Sequence, residues 1–243
     1  MMHFAKSCMA FAGALTLTAC ETVEADNAQA DFVSIFDGSS LSGWDGNTAY
    51  WRISDGVIIG ETSLDAPLEK NTFLIWQGGT PADFHLRLEF FLESGNSGVQ
   101  YRSHFLTDGH QYRVGGFQAD IARKWLGILY GEAGAGGILA RRGQSVELQL
   151  SDGMPTATSV TEFADAEDLI SQVDFASWNT LEVIADGGEI RHVVNGTTLM
   201  MANDQGTGMG QDGGLIALQL HTGDPMKVMF RNITIKMLEP GQS

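Results

Sequence analysis

Apolar and polar residues alternate with period two along most of the chain from residue 31 onward, in short runs broken by glycine-bearing turns. That pattern belongs to strands with one buried face, because successive side chains on a strand point to opposite sides. Phe84-His85-Leu86-Arg87-Leu88-Glu89-Phe90 is the clearest run, with every even position apolar. The same reading predicts strands over 50–53, 57–61, 73–76, 98–103, 146–150, 180–185, 189–194, 214–221 and 227–237. Asp37-Gly38, Asp55-Gly56, Asp186-Gly187, Asn195-Gly196 and Asp212-Gly213 supply turns. Asn195-Gly196 lies between two such runs and predicts a two-residue hairpin, since both residue types tolerate positive φ. Only residues 161–172 look helical, with Phe163, Leu169, Ile170 and Val173 set among acids as on a short surface helix. Many short strands, no internal repeat and no second linker predict one all-β jelly-roll β-sandwich over residues 32–238, with one short surface helix.

Four segments carry polar residues at i and i+2 where their neighbours are apolar. They are Gln100 and Arg102, Gln118 and Asp120, Tyr130 and Glu132, and Gln219 and His221. A solvated sheet face would give one such pair. Four pairs rich in amides, guanidinium, carboxylate and imidazole, rather than Lys, Ser and Thr, predict a single polar face that grips a ligand. Amide and guanidinium groups bind sugar hydroxyls, and carboxylate with imidazole can move protons or hold a metal. Asp120 stands out, because an acid inside an apolar strand must be paired, bound to a cation or open to a cavity. His104 and His110 lie in a loop with no such context. Trp44, Trp51, Trp76, Trp125 and Trp178 could stack on sugars, although Trp51 and Trp178, at strand starts, read as core.

The charge balance narrows the partners. Fourteen Lys+Arg against thirty Asp+Glu give −16, and removing residues 1–19, which hold Lys6 and no acid, takes it to −17. Phosphate backbones and anionic lipid surfaces repel such a chain, so nucleic-acid binding is excluded and a neutral or cationic ligand or a metal ion is favoured. No dinucleotide fingerprint, P-loop or GxSxG elbow is present, so no nucleotide cofactor is expected. The start reads as an export signal: Lys6 precedes an apolar run too short to span a bilayer permanently. That run ends in Leu17-Thr18-Ala19-Cys20, which looks like a bacterial lipobox, so residues 1–20 are expected to end in a lipid-bearing Cys20. An ordinary signal cut near Ala19 is the alternative. Residues 21–31 read as a flexible tether, and Glu21 after Cys20 favours the outer membrane facing the periplasm, with membrane contact only through the anchor. Cys8 leaves with the signal, so the mature fold has no free thiol, disulfide or Cys-ligated metal.

Longer stretches resemble the bacterial 3-keto-disaccharide hydrolase family. Phe36-Asp37-Gly38, Leu41-Ser42-Gly43-Trp44 and Trp51-Arg52-Ile53 are similar to its opening. They are followed by Ser94-Gly95-Asn96-Ser97-Gly98-Val99-Gln100-Tyr101-Arg102, Gly116-Phe117-Gln118-Ala119-Asp120-Ile121 and Gly127-Ile128-Leu129-Tyr130-Gly131-Glu132. The last matches are Gly214-Leu215-Ile216-Ala217-Leu218-Gln219-Leu220-His221 and Val228-Met229-Phe230-Arg231-Asn232-Ile233. The resemblance implies a concanavalin-like jelly roll and cleavage of glycosides already oxidised at C3 of the sugar. It implies that Asp120, Glu132 and His221 supply the base, the acid and, alternatively, the ligands of a divalent metal ion. Gln100, Arg102, Gln118, Tyr130, Gln219 and Asn96 would bind the sugar. Phe117 stands where some relatives have Tyr, and Gly131 where many have Asp, departures that bear on substrate preference more than on fold. Two other readings remain open: a conventional glycosidase using two carboxylates, Glu89 with Asp120, and a lipid-anchored carbohydrate-binding module that cuts nothing.

Overall fold

Burial follows the alternation residue by residue in β6 (Phe84–Ser94). Phe84, Leu86, Leu88, Phe90 and Leu92 are buried, while His85, Arg87, Glu89 and Phe91 are partly exposed between them. The computed structural model describes residues 31–171 and 173–239. The expected signal, lipobox and most of the tether lie outside the described residues.

β6 sits within a ten-stranded sheet. Its neighbours run β12 (Met154–Glu162), β11 (Gln144–Ser151), β15 (Thr197–Gly206), β14 (Glu189–Val194), β13 (Asn179–Asp186), β6, β17 (Lys227–Met237), β4 (Val57–Glu61) and β3 (Trp51–Ser54). The short β1 (Val33–Ser34) also pairs with β17. A seven-stranded sheet runs β10 (Gly137–Ala140), β9 (Leu129–Glu132), β8 (Val114–Ile121), β7 (Ser97–Phe105), β16 (Leu215–Leu220), β5 (Thr72–Trp76) and β2 (Trp44–Asp45). Pairing is antiparallel throughout except between β11 and β15. The inner faces of both sheets join in one core that includes Trp51, Phe84, Phe90, Tyr101, Phe117 and Phe230. Each such side chain contributes about 1.5–3 kcal/mol by leaving water. The expected all-β sandwich is the observed architecture.

A buried polar contact crosses that core. The His192 ring is fully buried, its Nδ1 3.1 Å from the Gly127 carbonyl and its Nε2 2.8 Å from the Tyr101 hydroxyl. A carbonyl only accepts, so Nδ1 carries the proton and Nε2 accepts from Tyr101. Burial pushes the imidazole down to about 4, which keeps it neutral in this role. His192 on β14 thereby braces the turn that carries Gly127, whose N–H donates to the Asp120 carbonyl.

One local expectation holds and two change. Asn195 and Gly196 adopt φ of 49° and 79°, the predicted hairpin turn joining β14 to β15. The unanticipated β12 forms the same way across Asp152-Gly153, with φ of 52° and 78°. The helix shrinks to α1 (Ala166–Ile170), because Asp165 caps it by accepting from the Glu167 and Asp168 N–H groups, and residues 161–162 belong to β12.

Candidate active site

The site begins with the pleat of β8. Phe117, Ala119 and Ile121 enter the core, so Gln118 and Asp120 face the other side of the seven-stranded sheet. Cross-strand register gathers the other polar residues there. Gln118 lies opposite Gln100 on β7 and Tyr130 on β9, and Gly116 lies opposite Glu132. Gly98 lies opposite Asp120 and leaves the space that the Gln118 side chain fills; a Cβ at Gly98 would stand 2.5 Å from Gln118 Cδ.

These side chains form one directed chain of hydrogen bonds. Ser103 Oγ donates to Gln100 Oε1 at 2.6 Å, and Gln100 Nε2 donates to Gln118 Oε1 at 2.9 Å. Gln118 Nε2 then donates to both Asp120 Oδ1, at 2.5 Å, and Gln219 Oε1, at 3.3 Å. Gln219 Nε2 donates to Glu132 Oε2 at 3.2 Å, and Asn71 Nδ2 to Glu132 Oε1 at 3.1 Å. The donors run in one direction, and three of the amides, Gln118, Gln219 and Asn71, donate directly to the two carboxylates. Gln100, Gln118, Asp120, Glu132 and Gln219 are all buried, so this network also satisfies groups that would otherwise lie costly and unpaired.

The carboxylates open onto a cleft of about 270 Å³, lined also by Asn96, Trp125, Tyr130 and His221. Burial pushes Asp120 up to about 7 against the pull of the Gln118 hydrogen bond, with the nearby Glu132 charge adding to the rise. Burial raises Glu132 as well, opposed by the Asn71 hydrogen bond and His221. Tyr130 is raised by its burial and by both carboxylates, so its hydroxyl stays protonated as a donor. His221 Nδ1 lies 2.5 Å from the Thr222 carbonyl, which fixes the proton on Nδ1 and leaves Nε2 for other partners. Asn96 Oδ1 is buried without a hydrogen-bond partner. An unmet acceptor lining a cleft is suited to a ligand hydroxyl.

Asp120, Glu132, His221, Gln118, Tyr130 and Asn96 thus line one cleft, and Gln100 and Gln219 support it from behind through the amide chain. Arg102 does not join them. At φ 47° in a bulge of β7 it turns out of the alternation. Its guanidinium instead reaches Asp83 at 3.1 Å and the carbonyls of Ala82 and Gly187. Glu89 does not pair with Asp120 either: it lies on β6 of the other sheet, held by Arg231 and Asn232 at 2.7 and 2.6 Å. Among the tryptophans, Trp51 is core as expected, and Trp44 and Trp76 are buried too. Trp178 is only half-buried, with Arg231 4.1 Å above its ring, and Trp125 reaches the cleft. Asn71 was not anticipated; it precedes β5, has no alternating partner in sequence, and its role appears only once Thr222 N–H binds its Oδ1.

Asp120, Glu132 and His221 line the same cleft but do not form a metal-binding cluster. Among the described residues no three His, Cys, Asp or Glu side chains converge to hold an ion. Both Glu132 oxygens are already taken by amide N–H groups. This arrangement does not fit the divalent cation considered from sequence. Neither departure from the family pattern is among the residues that line the cleft, although Gly131 lies between the cleft residues Tyr130 and Glu132. Phe117 is fully buried against Tyr101, and a Cβ at Gly131 would stand 1.7 Å from the Ala135 carbonyl oxygen. Both bear on packing.

A family model described as a 3-keto-alpha-glucoside-1,2-lyase-like domain matches residues 31–236. No curated protein matches the chain by sequence. Among solved structures, a candidate glycosyl hydrolase from Parabacteroides distasonis ATCC 8503 aligns with a TM-score of 0.53 at 20% identity, covering 92% of this chain and 99% of its own. A Bacillus subtilis protein of unknown function with a galectin-like fold aligns at 0.51 and 14% identity, covering 85% and 94%. At these identities the likeness establishes the fold.

Proposed function

The chain belongs to the 3-keto-alpha-glucoside-1,2-lyase-like family, a sugar-acting family, and from that premise we propose that it cleaves glycosides oxidised at C3 of the sugar. The observation that carries the reading is the pair of buried carboxylates, Asp120 and Glu132, facing one cleft beside His221, with Asp120 raised to about 7. A base of that strength suits proton removal near neutral pH.

The ketone at C3 makes the C2 proton acidic. Asp120 Oδ2, which holds no hydrogen bond from the described residues, takes that proton, and the electron pair moves into an enediolate. The enediolate re-forms the ketone as the C1–O bond breaks, leaving an enone in the sugar and the aglycone oxygen to be protonated. His221 enters this step as the imidazolium, its Nδ1–H held by the Thr222 carbonyl and its charge stabilised by Glu132, which Asn71 and Gln219 hold; Nε2–H delivers the proton and leaves the neutral Nδ1–H ring. Water adding across the enone gives net hydrolysis; release before addition gives a lyase. The Tyr130 hydroxyl donates to the enediolate oxygen, the role of a positioned electrophile. Proton transfer moves the Asp120 charge onto the sugar rather than adding a charge, so the acidic cleft does not forbid the anion. Asn96 Oδ1 accepts from a sugar hydroxyl.

The test is aglycone release from a 3-keto-glucoside and from its unoxidised parent, each with and without EDTA. Release from the keto form alone, slowed by deuterium at C2 and indifferent to EDTA, is the expected result. Cleavage of the parent would make Asp120 and Glu132 a conventional glycosidase pair. Sugar binding without release from either would make the protein a binding module. The proposal keeps Cys20 as the lipid-bearing residue of an outer-membrane protein facing the periplasm, which metabolic labelling with palmitate checks against Cys20→Ala.

A further inference from the structure

A second pocket, of about 400 Å³, lies against the cleft and shares Trp125 and Ile128 with it. Its chemistry is the reverse of the cleft's. Lys124, Arg141 and Arg142 line it, with Glu167 as the acid present. Arg142 builds the wall: it donates from Nη1 to the Lys124 and Leu126 carbonyls at 2.9 and 3.3 Å, tying this loop to the strand region before β11. Lys124 Nζ lies 4.4 Å from the centre of the Trp125 ring and Arg141 Cζ 5.8 Å, so the ring gathers both cations at the divide between the two pockets. Neither Lys124 nor Arg141 forms an ion pair with a carboxylate among the described residues. A chain of net charge −16 repels anions over most of its surface, and a concentrated basic pocket is where that field reverses.

We infer that this basic pocket binds an anionic group, such as a carboxylate, carried by the aglycone of the substrate. The inference rests on the proposed function for its orientation. The two carboxylates of the cleft disfavour a group that arrives already carrying negative charge, so the uncharged keto-sugar occupies it beside Asp120. A substituent extending from C1 past Trp125 then carries its charge to Lys124 and Arg141. These ammonium and guanidinium groups keep donors free for a carboxylate while their charge rests on the indole face.

The experiment compares a 4-carboxyphenyl 3-keto-glucoside with its methyl ester. The wild-type protein is expected to show a KM roughly fivefold lower for the carboxylate, the size two solvent-facing charges supply. That preference disappears at high salt and in the double variant Lys124→Ala with Arg141→Ala, while the ester is turned over as before. Lys124→Arg retains it. Equal KM values in the wild type, or a preference that survives the double variant, would overturn the inference. Should neither compound be cleaved, the catalytic reading fails, and the pocket is tested by fluorescence quenching with the unoxidised 4-carboxyphenyl glucoside, using Trp125→Phe to isolate the Trp125 signal. Quenching that the double variant abolishes supports the pocket; no quenching, or quenching unchanged in that variant, rejects it.

Discussion

The outer faces of the two sheets are written with the same alternation and reach opposite electrostatic ends. On the ten-stranded sheet, Glu182 meets His85 at 2.6 Å and Arg87 at 3.1 Å, and Glu89 meets Arg231 at 2.7 Å. These acids face cations, and Glu182 is held below its usual range, first by the His85 hydrogen bond and, against burial, by Arg87. On the seven-stranded sheet, Asp120 and Glu132 face amides instead, and burial drives both upward. An amide satisfies a lone pair without neutralising a charge, so the carboxylate keeps its reluctance to ionise. The difference between the ion-paired face and the face proposed to be reactive therefore lies in what stands across from each acid.

The sharpest way to break this contrast is at the centre of the reactive face. Asp120→Asn keeps the shape and the acceptor for Gln118 but cannot take a proton. Turnover of a 3-keto-glucoside should fall roughly 10³-fold or more, within the range for a lost general base, while near-ultraviolet circular dichroism stays native. In the unmodified protein kcat/KM should rise with pH through about 7, as Asp120 ionises.

The same residue gives a stability effect of distinctive sign. The Asp120 pKa is raised on folding from 3.8 to about 7, so the folded state holds a proton that the unfolded chain has already released. Its contribution is fully present below 3.8 and is lost as pH rises toward about 7. Asp120→Asn should remove that loss, and chemical denaturation at pH 8 should find the inactive variant more stable by on the order of 2–3 kcal/mol. Glu182 works the other way, stabilising the fold above its unfolded value of 4.5 and losing that contribution as pH falls.

The contrast was partly legible in the sequence. Most of the strands, and the pairing of Gln118 with Asp120 and of Tyr130 with Glu132 on one side of their own strands, follow from periodicity; register then brings the two pairs together. Arg102 does not: its alternation with Gln100 holds on paper, but a left-handed backbone at a non-glycine residue turns the side chain aside, and tertiary contacts with Asp83 hold it there. Residues 137–140 and 154–162 were missed because they are short or largely exposed, so no apolar stripe marks their strands. Glu89 and Glu132 look equally ready to serve a site; only register reveals that one stands beside Arg231 and the other beside amides.

Glu182→Gln probes the structural face. It removes the charge shared by His85 and Arg87 at a partly buried position, and should lower stability by about 1 kcal/mol in denaturant titration. It should leave kcat/KM unchanged, since the pair lies on the other sheet. A loss of activity matching Asp120→Asn would mean that the two faces are coupled and that the division drawn between them is wrong.

The smallest effect separates binding from chemistry within the reactive face. Asn96 Oδ1 is buried and unmatched in the free protein, so its removal takes away no existing hydrogen bond. Asn96→Ala should therefore leave thermal stability nearly unchanged, whereas truncating Gln118 or Gln219 would strand buried partners in the amide chain. If a sugar hydroxyl completes Asn96 in both the ground state and the transition state, KM should rise about three- to tenfold with kcat little altered, the size of one neutral hydrogen bond. A fall in kcat at constant KM would instead assign Asn96 to an interaction made only as the C2 proton leaves, and would move it from holding the sugar to stabilising the enediolate.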